Sequence, residues 1–396
     1  MAVLLCPRVQ CTGCAACSNI CPQKCIAMLA DEEGFLYPAV DSDLCNDCGL
    51  CETICPILQK PEPSITANPL VFACWNRDDE VRLKSASGGV FSALAEQVLD
   101  DGGVVFGVAF DENMKVQHIA VDCKEELGRL RSSKYVQSDI GHTYIEVKKL
   151  LKQNRTVLFS GTPCQVAALH AFLGKDNEKL LTCDIICKGV PSPGLFARYV
   201  EQLEKTFGAK LVNFNFRHKL RGWELASRMA YFADGRQYVL KNINDSFMYG
   251  FMNCFSLRRS CYWCPYTNTD RKGDITLGDF WGIGELVPFL HNTHKGISLI
   301  LMNSQKGRRW LEANSNRICC EERSLEEAMY KQSMLNQPAL EPTNRAQFFA
   351  DYQRLGFEEL ASKHLIDHGF KGIVKRLVPR RVVYMLSKTR RRITGR

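Results

Sequence analysis

The chain contains no run of about eighteen apolar residues, which argues against a membrane span. Its first residues, MAVLLCPRVQC, offer neither a charged start nor a long enough apolar stretch for a secretory signal, so a cytoplasmic protein is expected. Acidic residues are nearly missing from the end. From Lys363 to Arg396 there are eleven Lys or Arg against a single acid, Asp367, whereas the first 362 residues carry a net charge of −2. The overall +8 therefore describes a tail, and no nucleic-acid partner is expected from it. Glycine-rich phosphate loops are missing too: Ser87-Gly88-Gly89 and Gly161 match no dinucleotide fingerprint. What remains is ordinary for a soluble globular protein, with 45% hydrophobic and 24% charged residues, and 396 residues suffice for two or three domains.

Cysteine is the exception. There are 20 cysteines, ten of them in the first 55 residues. In a reducing compartment such clustering points to metal or redox chemistry rather than to disulfides. Cys11, Cys14, Cys17 and Cys21, followed by Pro22, spell C-x2-C-x2-C-x3-C-P, and Cys45, Cys48, Cys51 and Cys55, followed by Pro56, spell it again. This is the two-cluster ferredoxin spacing, in which three close cysteines hold one [4Fe–4S] cluster and the fourth serves the other. The spacing predicts one cluster on Cys11, Cys14, Cys17 and Cys55 and a second on Cys45, Cys48, Cys51 and Cys21. A tetrahedral zinc site fits this pattern poorly. Cys6 and Cys25 lie outside it and are expected to be small buried residues. Between the repeats, two apolar runs flank Asp31-Glu32-Glu33-Gly34, which predicts a hairpin.

The expected organisation is a dicluster domain at 1–58, a proline-bearing linker at 59–69, a body divided into 70–157 and 158–335, and a helical, basic tail at 336–396. In the body, SASGGVFSALAEQVLDDGG opens on small residues and becomes a helix capped by Ser85 or Ser87. VVFGVAF and KVQHIAV read as strands around a turn at Asp111–Met114. HTYIEVKKLLKQ predicts a helix, TVLFS a strand, VAALHAFL a helix and LLTCDII a strand, with another helix from Leu195. Further strands are expected in LVNFNFR, LASRMAYFADGRQYVL and DITLGDFWGIG. Mixed connections of this kind define an α/β or α+β fold with a mixed sheet.

Two strand ends are followed by cysteines, at Ser160-Gly161-Thr162-Pro163-Cys164 and at Cys187-Lys188-Gly189, where ligand sites of open α/β sheets form. Cys261 and Cys264 form a C-x2-C pair with no second pair downstream. A four-thiol site in the body must therefore draw on Cys164, Cys183, Cys187 or Cys254. Taken alone, the turn leaves Cys164 open between nucleophile, metal ligand and buried thiol. As a nucleophile it lacks a base, because His170 is badly placed further along the same helix.

The stretches SGG (Ser87–Gly89), LRSSKYVQS (Leu130–Ser138), LFSGTPCQVAAL (Leu158–Leu169), CKGVPSP (Cys187–Pro193), RHKLRGW (Arg217–Trp223), Cys261-x2-Cys264 and DITLGDFWG (Asp274–Gly282) resemble the family of beta subunits of coenzyme F-420 hydrogenases and dehydrogenases. The likeness runs from about Val71 to Gln332, behind the dicluster module. It implies a flavin, FAD, and a third [4Fe–4S] cluster beside it. Carried onto this sequence, it makes Cys164, Cys187, Cys261 and Cys264 the ligands of that cluster, with Cys183 and Cys254 in reserve. Ser87, Gly88, Gly89, Lys134, Gly161 and Thr162 would hold the flavin and its phosphates, with Asp279 and Trp281 lining the site. Where many relatives read Cys-His-Gly, this chain has Cys187-Lys188-Gly189. The chain also resembles ferredoxin-fused bacterial proteins linked to polysaccharide gene clusters.

Two functions follow as expectations. One is an iron–sulfur flavoenzyme that exchanges electrons with an organic substrate or coenzyme. The other is a non-catalytic electron-transfer subunit that connects a partner enzyme to a ferredoxin pool, including one serving polysaccharide biosynthesis. The basic tail, interrupted at Pro379, is expected to meet an acidic partner, to touch an anionic membrane surface or to remain solvated.

Overall fold

The structure, a computed structural model, describes residues 5–59, 69–240 and 245–366. Most of the expected linker and residues 367–396 of the expected tail lie outside these residues. The first module contains the hairpin β1 (Ile26–Ala30) and β2 (Leu36–Val40), paired antiparallel as the sequence predicts. The body supplies β3 (Leu70–Asn76), β4 (Val104–Phe110), β5 (Val116–Val121), β6 (Val157–Gly161) and β7 (Leu180–Ile185). They are followed by β8 (Leu211–His218), β9 (Ser227–Phe232), β10 (Gln237–Leu240), β11 (Ile275–Asp279), β12 (Ser298–Met302) and β13 (Ile318–Arg323).

One eight-stranded sheet has the order β13-β3-β12-β11-β7-β6-β4-β5, and a three-stranded sheet has the order β10-β9-β8. In the large sheet β11, β7, β6 and β4 run parallel, while β5 pairs antiparallel with β4 on one side and β11, β12, β3 and β13 pair antiparallel in succession on the other. The central strands are apolar on both faces, as buried parallel strands require, and Leu158, Phe159, Leu181 and Cys183 are fully buried. Parallel strands place their carboxyl ends on one edge, so Gly161, Ile185 and Asp279 all open onto the same side. β6 starts at Val157, and strands from either side of this point share the sheet.

The helix Val90–Asp100 is capped by Gly89, at φ +86°, and not by Ser85 or Ser87. Both hydroxyls are already committed, Ser85 Oγ to Val81 O at 2.8 Å and Ser87 Oγ to Ile297 O at 2.8 Å. The helix Pro163–Leu173 begins with a full capping box from Thr162 and Gln165. The helices Arg345–Arg354 and Phe357–His364 close the described part of the chain. Sequence patterning did not reveal β3, β12 or β13. Their pairing sets Cys74 opposite Cys320 on antiparallel neighbours, with Cα atoms 4.3 Å apart, and the two sulfurs form a disulfide.

The cluster module packs directly on the body. Ala15 and Ala16 share a core with Phe106, Tyr144, Phe159 and Phe172. The hairpin tip enters a second contact, where a Cβ on Gly34 would meet Gly194 Cα at 2.7 Å. Ser192 Oγ donates to Glu33 O at 2.6 Å while accepting from Leu195 N, so one hydroxyl caps the helix Pro193–Phe207 and holds the module.

Candidate functional site

The two cysteine repeats have matching backbones. Gly13 and Ala15 in the first, and Asp47 and Gly49 in the second, all adopt positive φ between 53° and 70°. Left-handed residues alternating with right-handed or extended ones curl a chain so that successive amides face inward, a geometry common at iron–sulfur sites. One cavity is lined by Cys11, Cys14, Cys17 and Cys55, together with Cys6 and Cys51. The other is lined by Cys21, Cys45, Cys48 and Cys51, together with Cys25. The fourth cysteine of each repeat thus crosses to the other repeat's triplet. Cys25 is buried, as expected, with its Sγ 3.3 Å from Cys21 Sγ, whereas Cys6 is only partly buried, and burial with the charges of Cys55, Cys11 and Cys14 pushes its thiol up to about 12.

Among the described residues, no three His, Cys, Asp or Glu side chains are drawn tightly enough around one point for a single metal ion. Thiols ring two small voids instead, and the crossed C-x2-C-x2-C-x3-C spacing of those thiols suits a polynuclear cluster better than zinc.

In the body, three elements bring four cysteines together. Cys164 follows β6 at the start of its helix, and its Sγ lies 3.1 Å from Thr162 Oγ1. Cys187 follows β7, and the Gly189 amide donates to its Sγ at 3.3 Å. Cys261 and Cys264 sit on and just after the single-turn helix Arg259–Trp263, and the Val190 amide donates to Cys261 Sγ at 3.5 Å. Gly189 stands at φ +129°, where a Cβ would meet Leu257 Cδ1 at 2.9 Å and Cys261 Cβ at 3.0 Å, so only glycine lets these loops approach. Burial, and then the negative charge of Cys261, Cys164 and Cys264, pushes the Cys187 thiol well up. Burial with the neighbouring thiolates likewise takes Cys164 to about 11 and Cys261 to about 12. Four buried thiols crowded in this way are a donor set that a cationic centre would hold as thiolates.

The reserves stay apart. Cys183 is fully buried within β7, and Cys254 lies beside Lys188. His170 reaches Thr182 Oγ1 at 3.5 Å, in the field of Asp274, and gives Cys164 no base.

Cys14 and Cys164 feel each other's charge, as do Tyr266 and the thiolates of Cys164, Cys14, Cys264 and Cys55. The Cys11/Cys14/Cys17/Cys55 ring is therefore proximal to the body site. The other ring is distal, and its Cys48 is exposed.

At Cys187 the body site borders a cavity of about 710 Å³ that is also lined by Ser87, Gly89, Lys134, Gly161 and Thr162. Five of the six expected flavin contacts meet there. Gly88 does not: its amide donates to Ser298 Oγ at 3.0 Å, and a Cβ would strike Cys74 O at 2.4 Å, so it serves packing against β3 and β12. Burial lowers the Lys134 ammonium to about 7, and its Nζ donates to Arg129 O and Arg131 O at 2.8 and 2.9 Å. Lys188 donates to Met252 O at 2.6 Å, and neither lysine meets a carboxylate among the described residues. Asp279 Oδ1 accepts from Arg217 at 3.0 Å and from Trp223 Nε1 at 2.5 Å, and Trp223 stacks on Trp281 at 4.8 Å along the cavity wall. No helix among the described residues is long and apolar enough to cross a membrane.

An α/β body carrying a two-repeat cysteine module and a third thiol site at its sheet's carboxyl edge defines a class of iron–sulfur proteins. The N- and C-terminal models of the coenzyme F420 hydrogenase/dehydrogenase beta subunit match residues 71–142 and 154–328, and a 4Fe-4S dicluster domain model matches residues 10–57. The chain belongs to the family of coenzyme F420 hydrogenase/dehydrogenase beta subunits, with a 4Fe-4S dicluster domain ahead of that region. It is 22% identical to an uncharacterised protein of Methanocaldococcus jannaschii, over 43% of this chain and 55% of that protein. It is also 22% identical to one of the subunits of the F(420)H(2) dehydrogenase of Methanosarcina mazei, over 45% of this chain and 53% of that one. The chain thus spans about half the length of these relatives. A chain of the F420-reducing [NiFe] hydrogenase complex from Methanosarcina barkeri aligns at TM-score 0.44 and 14% identity, covering 76% of this chain and 95% of that chain.

Proposed function

We propose that the protein is an iron–sulfur flavoprotein that relays electrons between a redox partner and a coenzyme-sized organic substrate. In this reading Cys11, Cys14, Cys17 and Cys55 hold the proximal cluster, and Cys21, Cys45, Cys48 and Cys51 hold the distal one. Cys164, Cys187, Cys261 and Cys264 hold a third, and the cavity holds FAD. The observation that carries it is the order of the sites: distal ring, proximal ring, body thiols and cavity follow one another, with Cys187 belonging to both of the last two. Bound clusters supply one-electron exchange, and a flavin supplies the conversion to two-electron chemistry.

The protein's own part is to hold and tune. The Gly189 and Val190 amides donate to thiolates, which favours the charged form of each ligand. Lys134 offers a cation that an anionic cofactor would pair, and burial makes that pairing strong. The loop at Ser87–Gly89 brings the start of the helix Val90–Asp100 to the cavity, a placement favourable to phosphate. The exposed Cys48 places the distal ring where a partner protein or a ferredoxin can dock.

The test is anaerobic purification with iron, sulfide and flavin analysis. About twelve irons and one FAD per chain are expected for three cubanes and a flavin. About eight irons without flavin would overturn the body site and leave the non-catalytic electron-transfer subunit. With FAD present, bleaching by a small reductant followed by recovery with an organic acceptor separates enzyme from relay.

A further inference from the structure

Arg258 is fully buried, and among the described residues its guanidinium meets no carboxylate. Its Nε donates to Cys11 O at 2.7 Å, and its Nη1 donates to Leu36 O at 3.0 Å and Gln137 Oε1 at 3.1 Å. Its Nη2 lies 3.7 Å from Cys11 Sγ, and the group stacks over Tyr37 at 3.8 Å from the ring centre. The same residue's main chain belongs to the body site. Its amide donates to Val190 O at 3.0 Å, and its carbonyl accepts from Cys261 N at 2.9 Å. The fit is tight, since a Cβ on Gly13 would meet Arg258 Cζ at 2.9 Å.

A buried cation is costly unless anions nearby offset it. With clusters bound, the anionic groups nearest it would be the sulfur ligands Cys11, which its Nη2 faces at 3.7 Å, and Cys261, whose amide donates to the Arg258 carbonyl. We propose that Arg258 is the shared positive counter-charge of the proximal and body thiol sites, a positioning residue that raises the reduction potential of both relative to the distal site. Adding an electron makes either cluster one unit more negative, and a fixed cation in a poorly solvated setting favours that state. The two inner sites therefore accept electrons more readily than the exposed one, which draws charge from the surface towards the cavity.

The inference rests on the cluster assignment above, so the full chain is first assayed for iron, and its midpoints are then read by potentiometric titration followed by electron paramagnetic resonance. In Arg258→Gln, two of three midpoints are expected to fall. The reduced-to-oxidised ratio at fixed potential should drop about tenfold, which is 59 mV for a one-electron couple. The third midpoint should not move. Arg258→Lys, which keeps the charge, should restore most of the shift. Gln137→Glu sets a carboxylate against the same guanidinium and should lower the same two midpoints without removing the arginine, so the idea stays testable if Arg258→Gln fails to fold. Unchanged midpoints in Gln137→Glu and Arg258→Gln with iron intact would overturn the proposal, as would Arg258→Lys falling as far as Arg258→Gln. A wild-type chain with only two clusters would instead refute the body cluster, and one shifted midpoint of two would still support the proximal half.

Discussion

Glu33→Gln tests whether the cluster module is fixed to the body or merely tethered. Glu33 sits at the hairpin tip, where Asp31 Oδ1 accepts the Glu33 and Phe35 amides at 3.0 and 2.7 Å and Gly34 turns at φ +80°. Its carboxylate receives both arms of Arg345, at 2.9 and 2.6 Å, with side-chain exposures of 10% and 1%. Arg345 also donates to Leu257 O at 2.9 Å and Tyr262 OH at 3.2 Å, so one guanidinium ties the hairpin to the segment that carries Cys261 and to the helix Arg345–Arg354. Removing one partner of a buried pair costs about 3–5 kcal/mol, because the survivor is left charged and desolvated. Glutamine keeps the volume and one neutral acceptor, so about 3 kcal/mol is expected. Glu32 is the internal control. It meets Arg8 at 2.8 Å, but the two are 58% and 53% exposed, and such a pair is worth at most about 1 kcal/mol. Urea denaturation by circular dichroism, with the visible absorbance of the clusters followed in parallel, should show Glu33→Gln well below Glu32→Gln. Cluster signals should be lost at lower urea in Glu33→Gln. If the two variants unfold within about 1 kcal/mol of each other, the docking argument is wrong.

Two further outcomes follow from single residues. Gly189→Ala forces a Cβ into contact with Cys261 at a φ that other residues rarely adopt, so a cost of about 1–3 kcal/mol and selective loss of body iron, from about twelve to about eight atoms per chain, are expected. Full iron content in that variant would sink the account of the loop. His118 is buried, which lowers its imidazole to about 4; its Nε2–H donates to Ser160 O at 3.1 Å and its Nδ1 accepts from Ser138 Oγ at 3.1 Å. Between pH 6.5 and 4 the unfolded chain binds a proton that the folded chain refuses, so stability falls as pH drops, by up to about 3 kcal/mol across that window. His118→Gln should flatten the stability-versus-pH curve there, and an unchanged slope would show that other groups govern it.

The distance at which a residue acts explains what could be read from the sequence. The dicluster repeat was legible because its ligands are local: three thiols within seven residues fix one corner set, and the crossing of Cys21 and Cys55 follows from the same spacing. Strands β4, β6 and β7 were legible because buried parallel strands are continuous apolar runs, and the antiparallel edge strand β5 because its buried residues alternate with more exposed ones. The strands β12 and β13 escaped because no neighbouring motif framed them, although Ser298–Met302 is buried throughout. Gly88 was misassigned because a small residue can serve close packing or ligand approach, and only the neighbouring Cys74 carbonyl decides between them.

Arg258 is the harder case. In sequence it is one of two adjacent arginines before a C-x2-C pair, yet Arg259 is 47% exposed at its side chain and lies 3.7 Å from Glu33, while Arg258 is fully buried. The difference arises because Arg258 belongs to two sites that are 247 residues apart along the chain, as its bond to Cys11 shows. A fused ferredoxin module that merely delivered electrons would need no such side chain. One that shares a buried cation with its acceptor has its potential set across the junction, so the module and the body act as a single electrostatic unit.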